Sequence, residues 1–220
     1  MNRLSTIGRS GLALAMLLLT MGLAGQRLAA EEYGTAARVN GVEISLFRLE
    51  RHFEDYLRLQ QRNVAAIRTP SVYKRLKREA LQQLIDKELL WQEAQRNGIQ
   101  VNDAAVEQAR EAVADSFGNR AAFERRLVSA GFDEAGYVEY LRSEIAASRM
   151  LDQLVATTSV SDAEVRRVYA ANRGRLAGAS EARGLEVVRE ALLAQRTAEA
   201  QRKVLEQLRA KASIEVLLPL

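Results

Sequence analysis

Apolar side chains recur at helical spacing through most of the 220-residue chain, and four helix starts share one local pattern. In each, an apolar residue precedes a polar capping residue, and a second apolar residue lies five positions after the first. The capping residues are Ser45, Asn102, Asp133 and Ser161. Glu164, three residues after Ser161, also predicts a reciprocal capping box. The pattern therefore predicts helices that begin at these four positions.

A fifth helix start is predicted at Thr69-Pro70, because proline suits the first position of a helix. This helix should run to about Arg96, where Gly98 provides a left-handed stop. Further helices are predicted over residues 103–117, 121–130, 134–156 and 185–211. Since their connections are short, we expect residues 45–156 to form one helical core.

Short β-prone segments lie at both ends of the helical part of the chain. Asn40-Gly41, within residues 37–45, is a hairpin-turn signature. Apolar residues alternate through residues 212–218, which indicates a strand. Because a lone strand leaves its backbone groups unpaired, residues 212–218 are predicted to pair with residues 37–44. The predicted fold class is mostly α, with a small β element that joins the N-terminal hairpin to the C-terminal strand.

Residues 1–30 have the organisation of an export signal. Two arginines precede the apolar run GLALAMLLLTMGLAG, and small residues follow it. Cleavage after Ala24 and cleavage after Ala30 both remain open, and retention of the segment as an uncleaved anchor is the alternative. In each case the body of the protein is predicted to be exported. Contact with a membrane is expected only where the segment is retained.

The charge distribution argues against a nucleic-acid partner. The chain has 32 Lys and Arg residues against 28 Asp and Glu, a net charge of +4. Without residues 1–30, which hold three arginines and no acidic residue, 29 basic residues face 28 acidic ones. Charges of both signs alternate along the helices, whereas a nucleic-acid-binding surface needs its cations on one face.

Residue types that carry chemistry are sparse. The absence of cysteine excludes disulfides, thiolate zinc sites and a cysteine nucleophile. The single histidine, His52, falls in the first predicted helix and is expected to be a surface or rim residue. Because no nucleophile with a base, no phosphate-binding glycine loop and no cluster of metal ligands is evident, we predict no catalytic residue, no metal site and no cofactor.

Four segments follow one another in the order VNGVEISLFRL (39–49), LIDKELLWQEAQRNGIQVNDAAVEQA (84–109), FGNRAAFERRLVSAGFDEAGYVEYLRSEI (117–145) and VSDAEVRRVYAANRGRL (160–176). In this order and spacing they resemble the SurA-like and PpiD-like periplasmic chaperone family. The resemblance implies a signal peptide over residues 1–30 and a SurA-type helical chaperone domain over residues 31–176. It also implies a C-terminal helix and strand over residues 185–220 that return to that domain.

Residues 177–184 are where many members of this family carry a parvulin-type prolyl isomerase domain. Here the interval between Leu176 and Leu185 holds only AGASEARG, whereas an independent domain has on the order of a hundred residues. Parvulin pockets of the family use paired histidines beside a cysteine or aspartate, and this chain has one histidine and no cysteine. We therefore expect a short exposed loop at residues 177–184 and no isomerase activity.

The resemblance implies a periplasmic chaperone that binds unfolded outer-membrane or secreted polypeptides without ATP. A dedicated interaction subunit of an export or cell-surface system, such as an exopolysaccharide assembly, is the alternative from another class. A prolyl isomerase would follow from the family name alone. A homodimer through the last helix also remains open, although no sustained heptad supports it.

Five aromatic residues are candidates for contact with such clients, because rigid amphipathic rings give contact area at low entropic cost. They are Phe47, Phe53, Tyr56, Tyr73 and Trp91. The helical spacing of Phe47, Phe53 and Trp91 favours core packing over client contact. Tyr56 and Tyr73 flank a polar connection, and for them both roles remain open.

Overall fold

The computed structural model describes residues 34–176 and 180–218, and it confirms the mostly helical fold class with a small sheet. The elements in chain order are β1 (Thr35–Val39), β2 (Val42–Ser45), α1 (Leu46–Leu59), a 3-10 turn (Val64–Ala66), α2 (Pro70–Arg96), α3 (Asp103–Asp115), α4 (Arg120–Ser129), α5 (Glu134–Val155), α6 (Asp162–Asn172), a second 3-10 turn (Arg173–Leu176), α7 (Glu181–Lys211) and β3 (Ile214–Val216). The predicted export signal and both of its cleavage sites lie outside the described residues.

The helices divide between two compact units, so the prediction of a single core over residues 45–156 is wrong. Residues 34–86 and 212–218 form the first unit, and the described residues of 87–211 form the second. The physical reason lies in α2, whose 27 residues span about 40 Å. Its first part buries Leu81 and Ile85 in the first unit, and its last part buries Leu89 and Ala94 in the second.

The first unit is built on a three-stranded antiparallel sheet in the order β2-β1-β3. Asn40 and Gly41 have φ values of 50° and 84°, the left-handed pair that a two-residue hairpin turn requires. Val39 pairs with Ile214, and the Asn40 side chain accepts a hydrogen bond of 2.8 Å from the backbone of Ser213. The predicted return of the C-terminal strand to the N-terminal hairpin is therefore confirmed.

The four predicted helix starts are also confirmed. Each capping side chain accepts a hydrogen bond from the backbone N–H three residues later, at 3.1 Å for Ser45, 3.0 Å for Asn102, 2.7 Å for Asp133 and 3.3 Å for Ser161. Such caps each stabilise a helix by about 1 kcal/mol.

Two clusters of side chains form the interior of the second unit. Val106 of α3, Phe123 of α4, and Tyr137 and Leu141 of α5 make up the larger one. The smaller cluster joins the end of α2 to the middle of α5 through Ala94, Ala146 and Met150. Helix α5 thus contributes to both clusters.

Helix α7 begins at Glu181, four residues before the predicted start, so the second half of the predicted loop at residues 177–184 is helical. Its first half, residues 177–179, lies outside the described residues. The early start has a local cause and a packing cause. Ser180 caps the helix, since its hydroxyl oxygen accepts a hydrogen bond of 3.3 Å from the backbone N–H of Arg183. Gly184, in the first turn, is buried against the ring of Tyr169 on α6.

Ion pairs hold α7 against the start of α6. Arg189 pairs with Asp162, and Arg196 contacts both oxygens of the Glu164 carboxylate at 2.8 Å. Arg196 also donates to the carbonyl oxygen of Ser159 at 3.1 Å. Since the Glu164 side chain is directed to Arg196, the reciprocal bond of the predicted capping box to the Ser161 amide does not form.

Within residues 34–176 and 180–218, every helix is too short or too polar to cross a bilayer.

Candidate functional site

Four of the five aromatic candidates lie in the first unit, and the fifth lies in the second. Phe47, Phe53 and Tyr56 are on α1, and Tyr73 is in the first turn of α2. Trp91 falls in the last part of α2, which belongs to the second unit. The structure therefore brings together the candidates of α1 and the start of α2, and it places Trp91 among other neighbours.

Helices α1 and α2 pack as an antiparallel hairpin. Contacts join Glu50 to Lys77 and Phe53 to Tyr73. The residue numbers of the partners on α2 therefore fall as those on α1 rise, which shows that the two helices run in opposite directions. A second row of contacts, from His52 to Gln83 and from Tyr56 to Glu79, runs the same way. The connection over residues 60–69 accordingly lies at one end of the hairpin.

Phe53 and Tyr73 form the aromatic centre of this hairpin. Their ring centroids are 5.4 Å apart at an interplanar angle of 88°, an edge-to-face pair. Phe53 is only 1% exposed, whereas Tyr73 is half-buried. Phe53 is thus a packing residue that contacts the Tyr73 ring from the interior of the hairpin.

A buried lysine completes the surroundings of Tyr73. The Lys77 ammonium lies 5.2 Å from the centroid of the Tyr73 ring, donates to its hydroxyl at 3.0 Å and pairs with the Glu50 carboxylate. Burial alone lowers the pKa of Lys77, but the hydrogen bonds to Glu50 and Tyr73 outweigh it, so the net pKa is raised. Lys77 therefore stays charged and fixes the Tyr73 hydroxyl.

Tyr56 is held in a similar way. Its hydroxyl donates to the Glu79 carboxylate at 2.7 Å, and the side chain is half-buried. Burial and this hydrogen bond to Glu79 raise the pKa of Tyr56. The ring is consequently fixed by its polar end while part of its apolar body faces solvent.

Phe47 and Trp91 are both half-buried, in different units. The guanidinium carbon of Arg51 lies 5.6 Å from the centroid of the Phe47 ring, a cation–π distance. Trp91 packs against Ala94, Ala146 and Met150 and lines a shallow depression in the second unit. Each ring combines a packing contact with an accessible face.

The connection at the end of the α1–α2 hairpin, which was expected to be polar, carries exposed apolar side chains that were not predicted. Leu59 is 88% exposed and Val64 is 43% exposed, and Ala65 and Ala66 are exposed beside them. The run VAAI within a loop was the signal that could have revealed this surface.

The potential metal ligands among the described residues are His52 and the acidic side chains. His52 Nε2 lies 3.1 Å from Gln83 Oε1 on the hairpin surface, in line with the expected surface or rim role. Within residues 34–176 and 180–218, no three His, Cys, Asp or Glu side chains are placed to hold a metal ion. What the hairpin offers is a set of aromatic faces with fixed polar ends, which suits reversible binding of apolar and aromatic groups.

Comparison with known proteins gives one family and one fold. A family model described as the SurA-like N-terminal domain matches residues 5–151. Among curated proteins, none matches the sequence. A solved structure matches with a TM-score of 0.50 and 11% identity over 84% of this chain and 99% of the other. It comes from a study of PEB4 and Cj1289, described as two structurally related SurA-like chaperones in the human pathogen Campylobacter jejuni.

Proposed function

Because the chain belongs to the SurA-like N-terminal domain family, we propose that it is an ATP-independent periplasmic chaperone without prolyl isomerase activity. Its clients are unfolded outer-membrane or secreted polypeptides, which it binds through weak apolar contacts. The SurA-like fold of the solved relative and the export signal predicted over residues 1–30 both favour this function and location.

The observation that carries the isomerase-free part of the proposal is the direct packing of α7 on α6. The interval between the 3-10 turn that ends at Leu176 and the start of α7 at Glu181 is four residues. Beyond this interval, the Gly184–Tyr169 contact and the Arg196–Glu164 ion pair join α7 directly to α6. A catalytic domain of on the order of a hundred residues has no place in this interval.

We propose that clients contact the half-buried rings of Tyr56, Tyr73, Phe47 and Trp91, whereas Phe53 positions Tyr73 from the interior. The support is the combination of an accessible ring face with a polar end that is already hydrogen-bonded, as in Tyr56 with Glu79 and Tyr73 with Lys77. A ring held in this way loses little rotamer freedom when a client side chain packs on it.

The test is suppression of aggregation of several unrelated unfolded proteins by equimolar or lower amounts of the chain. We expect suppression by the wild type in the absence of ATP. Tyr56→Ser should weaken it several-fold, because the ring is lost. Tyr56→Phe should weaken it less, because the ring stays and only its hydrogen bond to Glu79 is lost. Failure of the wild type to protect any of these clients would contradict the proposal.

A pull-down from the same preparation tests the alternative of a dedicated assembly subunit. The chaperone proposal predicts many proteins, each recovered in a small amount. Recovery of one stoichiometric partner, together with no protection of unrelated clients, would instead favour the dedicated subunit.

A further inference from the structure

Basic residues accumulate around the end of the α1–α2 hairpin, where acidic residues are missing. Residues 56–78 contain seven Lys and Arg residues and no Asp or Glu. Three of these cations, Lys77, Arg58 and Arg75, pair with carboxylates that lie outside this stretch. The interleaving of charges that holds along the other helices therefore fails here.

Three other cations of this stretch remain available. Arg62, Arg68 and Lys74 are exposed, and none of them has an ion-pair partner among residues 34–176 and 180–218. They lie in or directly after the connection at the end of the hairpin, on both sides of the 3-10 turn Val64–Ala66. Their positive charge is thus concentrated where the hairpin ends.

Apolar side chains project from the same end. Leu59 has 88% of its surface exposed, the largest fraction among the exposed large apolar side chains of the described chain. Residues 58–66 are exposed without interruption, and they include Val64, Ala65 and Ala66. An unbroken exposed run at the turn between two antiparallel helices is a protrusion and not a groove.

We infer that the end of the α1–α2 hairpin, residues 58–74, binds the surface of an anionic phospholipid bilayer. Leu59 and the Val64–Ala66 turn enter the boundary between headgroups and acyl chains, while Arg62, Arg68 and Lys74 contact headgroup phosphates. The association is peripheral and reversible, and it uses the described domain of the protein and not the apolar segment at residues 1–30.

A bilayer fits this surface better than an acidic polypeptide does. An extended peptide gains most of its contact in a groove or along a strand edge, and the hairpin end is convex. A bilayer receives a convex apolar protrusion and at the same time supplies a dense layer of negative charge. Binding to a bilayer would place a client-binding protein at the membrane surface, where clients that cross or enter the membrane emerge.

The experiment is sedimentation with vesicles in the absence of any client, so its outcome is separate from that of the proposed chaperone function. The probe is phosphatidylcholine vesicles with about a third phosphatidylglycerol, compared with pure phosphatidylcholine. Protein from the exported fraction is used, and mass spectrometry defines its N-terminus, so that residues 1–30 are in the same state in every variant.

We expect binding to the anionic vesicles and at least tenfold weaker binding to the neutral ones. Neutralising the three cations by Arg62→Gln, Arg68→Gln and Lys74→Gln should weaken binding about a hundredfold, since each cation near an anionic surface contributes about a factor of five. Leu59→Ser should weaken binding about tenfold, because an inserted leucine is lost. Raising the salt concentration should weaken wild-type binding further.

Matched control variants lie in the second unit. Arg125→Gln, Arg167→Gln and Lys203→Gln remove three exposed cations and change the net charge by the same amount. Val128→Ser removes an apolar side chain that is 74% exposed. Both controls should bind anionic vesicles as the wild type does, within about twofold.

Three results would overturn the inference. Equal binding to neutral and anionic vesicles would exclude recognition of the headgroup charge. If the control triple variant lost as much binding as the hairpin triple variant, the effect would come from the net charge of the protein and not from the hairpin end. Binding of polyglutamate by the wild type, with both kinds of vesicle left unbound, would assign the hairpin end to acidic polypeptides instead.

Discussion

The contact between Gly184 on α7 and Tyr169 on α6 yields the sharpest stability prediction. A methyl group at position 184 would overlap with Cε2 of the Tyr169 ring and lie 3.2 Å from Cδ2 and 3.4 Å from Cζ. Overpacking of this kind costs about 1–3 kcal/mol, and we take the upper part, about 2–3 kcal/mol, because the ring is rigid. Alanine in a helix gains about 1 kcal/mol over glycine, so Gly184→Ala should destabilise the α6–α7 contact by about 1–2 kcal/mol.

Hydrogen exchange followed by mass spectrometry is the suitable assay, because a protein with two compact units does not unfold as one transition. The loss of protection should be confined to peptides of α6 and α7. Gly174→Ala is the matched control, since nothing lies within 4 Å of a Cβ placed there, and its effect should stay within about 0.5 kcal/mol.

A double-mutant cycle decides whether the overlap is the cause. In a Tyr169→Ala background the ring is absent, so Gly184→Ala should stabilise the contact by about 1 kcal/mol, a reversal of sign. If the effect of Gly184→Ala were the same in both backgrounds, the close approach of the two helices would be refuted.

Other predictions concern the first unit and the α6–α7 ion pairs. Phe53→Ala should cost about 3–5 kcal/mol of local stability in hydrogen exchange, because the ring is buried, whereas Leu59→Ala should change it by less than about 0.5 kcal/mol. Gly41→Ala should destabilise the hairpin by about 1–2 kcal/mol, since φ is +84°, as measured by hydrogen exchange of the β1 and β2 peptides. The hydrogen bond from Arg189 lowers the pKa of Asp162 below the ordinary value of an aspartate. The stability that this pair contributes is therefore present above the ordinary pKa and is lost as the pH falls through the lowered one. Arg189→Gln should remove this part of the acid dependence in unfolding followed from pH 6 to about pH 2, and an unchanged profile would contradict the pairing.

Local signals in the sequence were sufficient for most of the fold. The caps at Ser45, Asn102, Asp133 and Ser161 are properties of five or six consecutive residues, so they can be recognised without knowledge of any tertiary contact. The pairing of the C-terminal strand with the hairpin could be predicted for a different reason. The backbone groups of the C-terminal strand need hydrogen-bond partners, and the hairpin is the other β-prone segment predicted in the chain.

Tertiary contacts were beyond reach of the same arguments. Gly184 was assigned to a loop because residues 177–184 stand where relatives carry a further domain, and the packing of this glycine on the Tyr169 ring cannot be read from the sequence. The cap at Ser180 was a local signal that was overlooked. The division into two units was missed because the apolar face of α2 is continuous in sequence. Ile85 belongs to the first unit and Leu89 to the second, and no local feature of the sequence marks the boundary between them.

The candidate site was predictable only in part. Helical spacing identified Phe53 as a packing residue, in agreement with its burial. The fixed orientation of Tyr73 depends on Lys77 and Glu50, whose meeting requires the packing of α1 on α2. The exposed end of the hairpin was hidden by the polar residues around the VAAI run, since composition averages over side chains that differ widely in exposure.

Refolding of one unfolded client whose slow phase is limited by proline isomerisation tests both parts of the proposed function in one measurement. We expect the protein to raise the yield of folded client without ATP, while the slow phase keeps its uncatalysed time of roughly tens to hundreds of seconds. An unchanged yield would contradict the chaperone function, and a slow phase accelerated in proportion to the protein concentration would contradict the absence of isomerase activity.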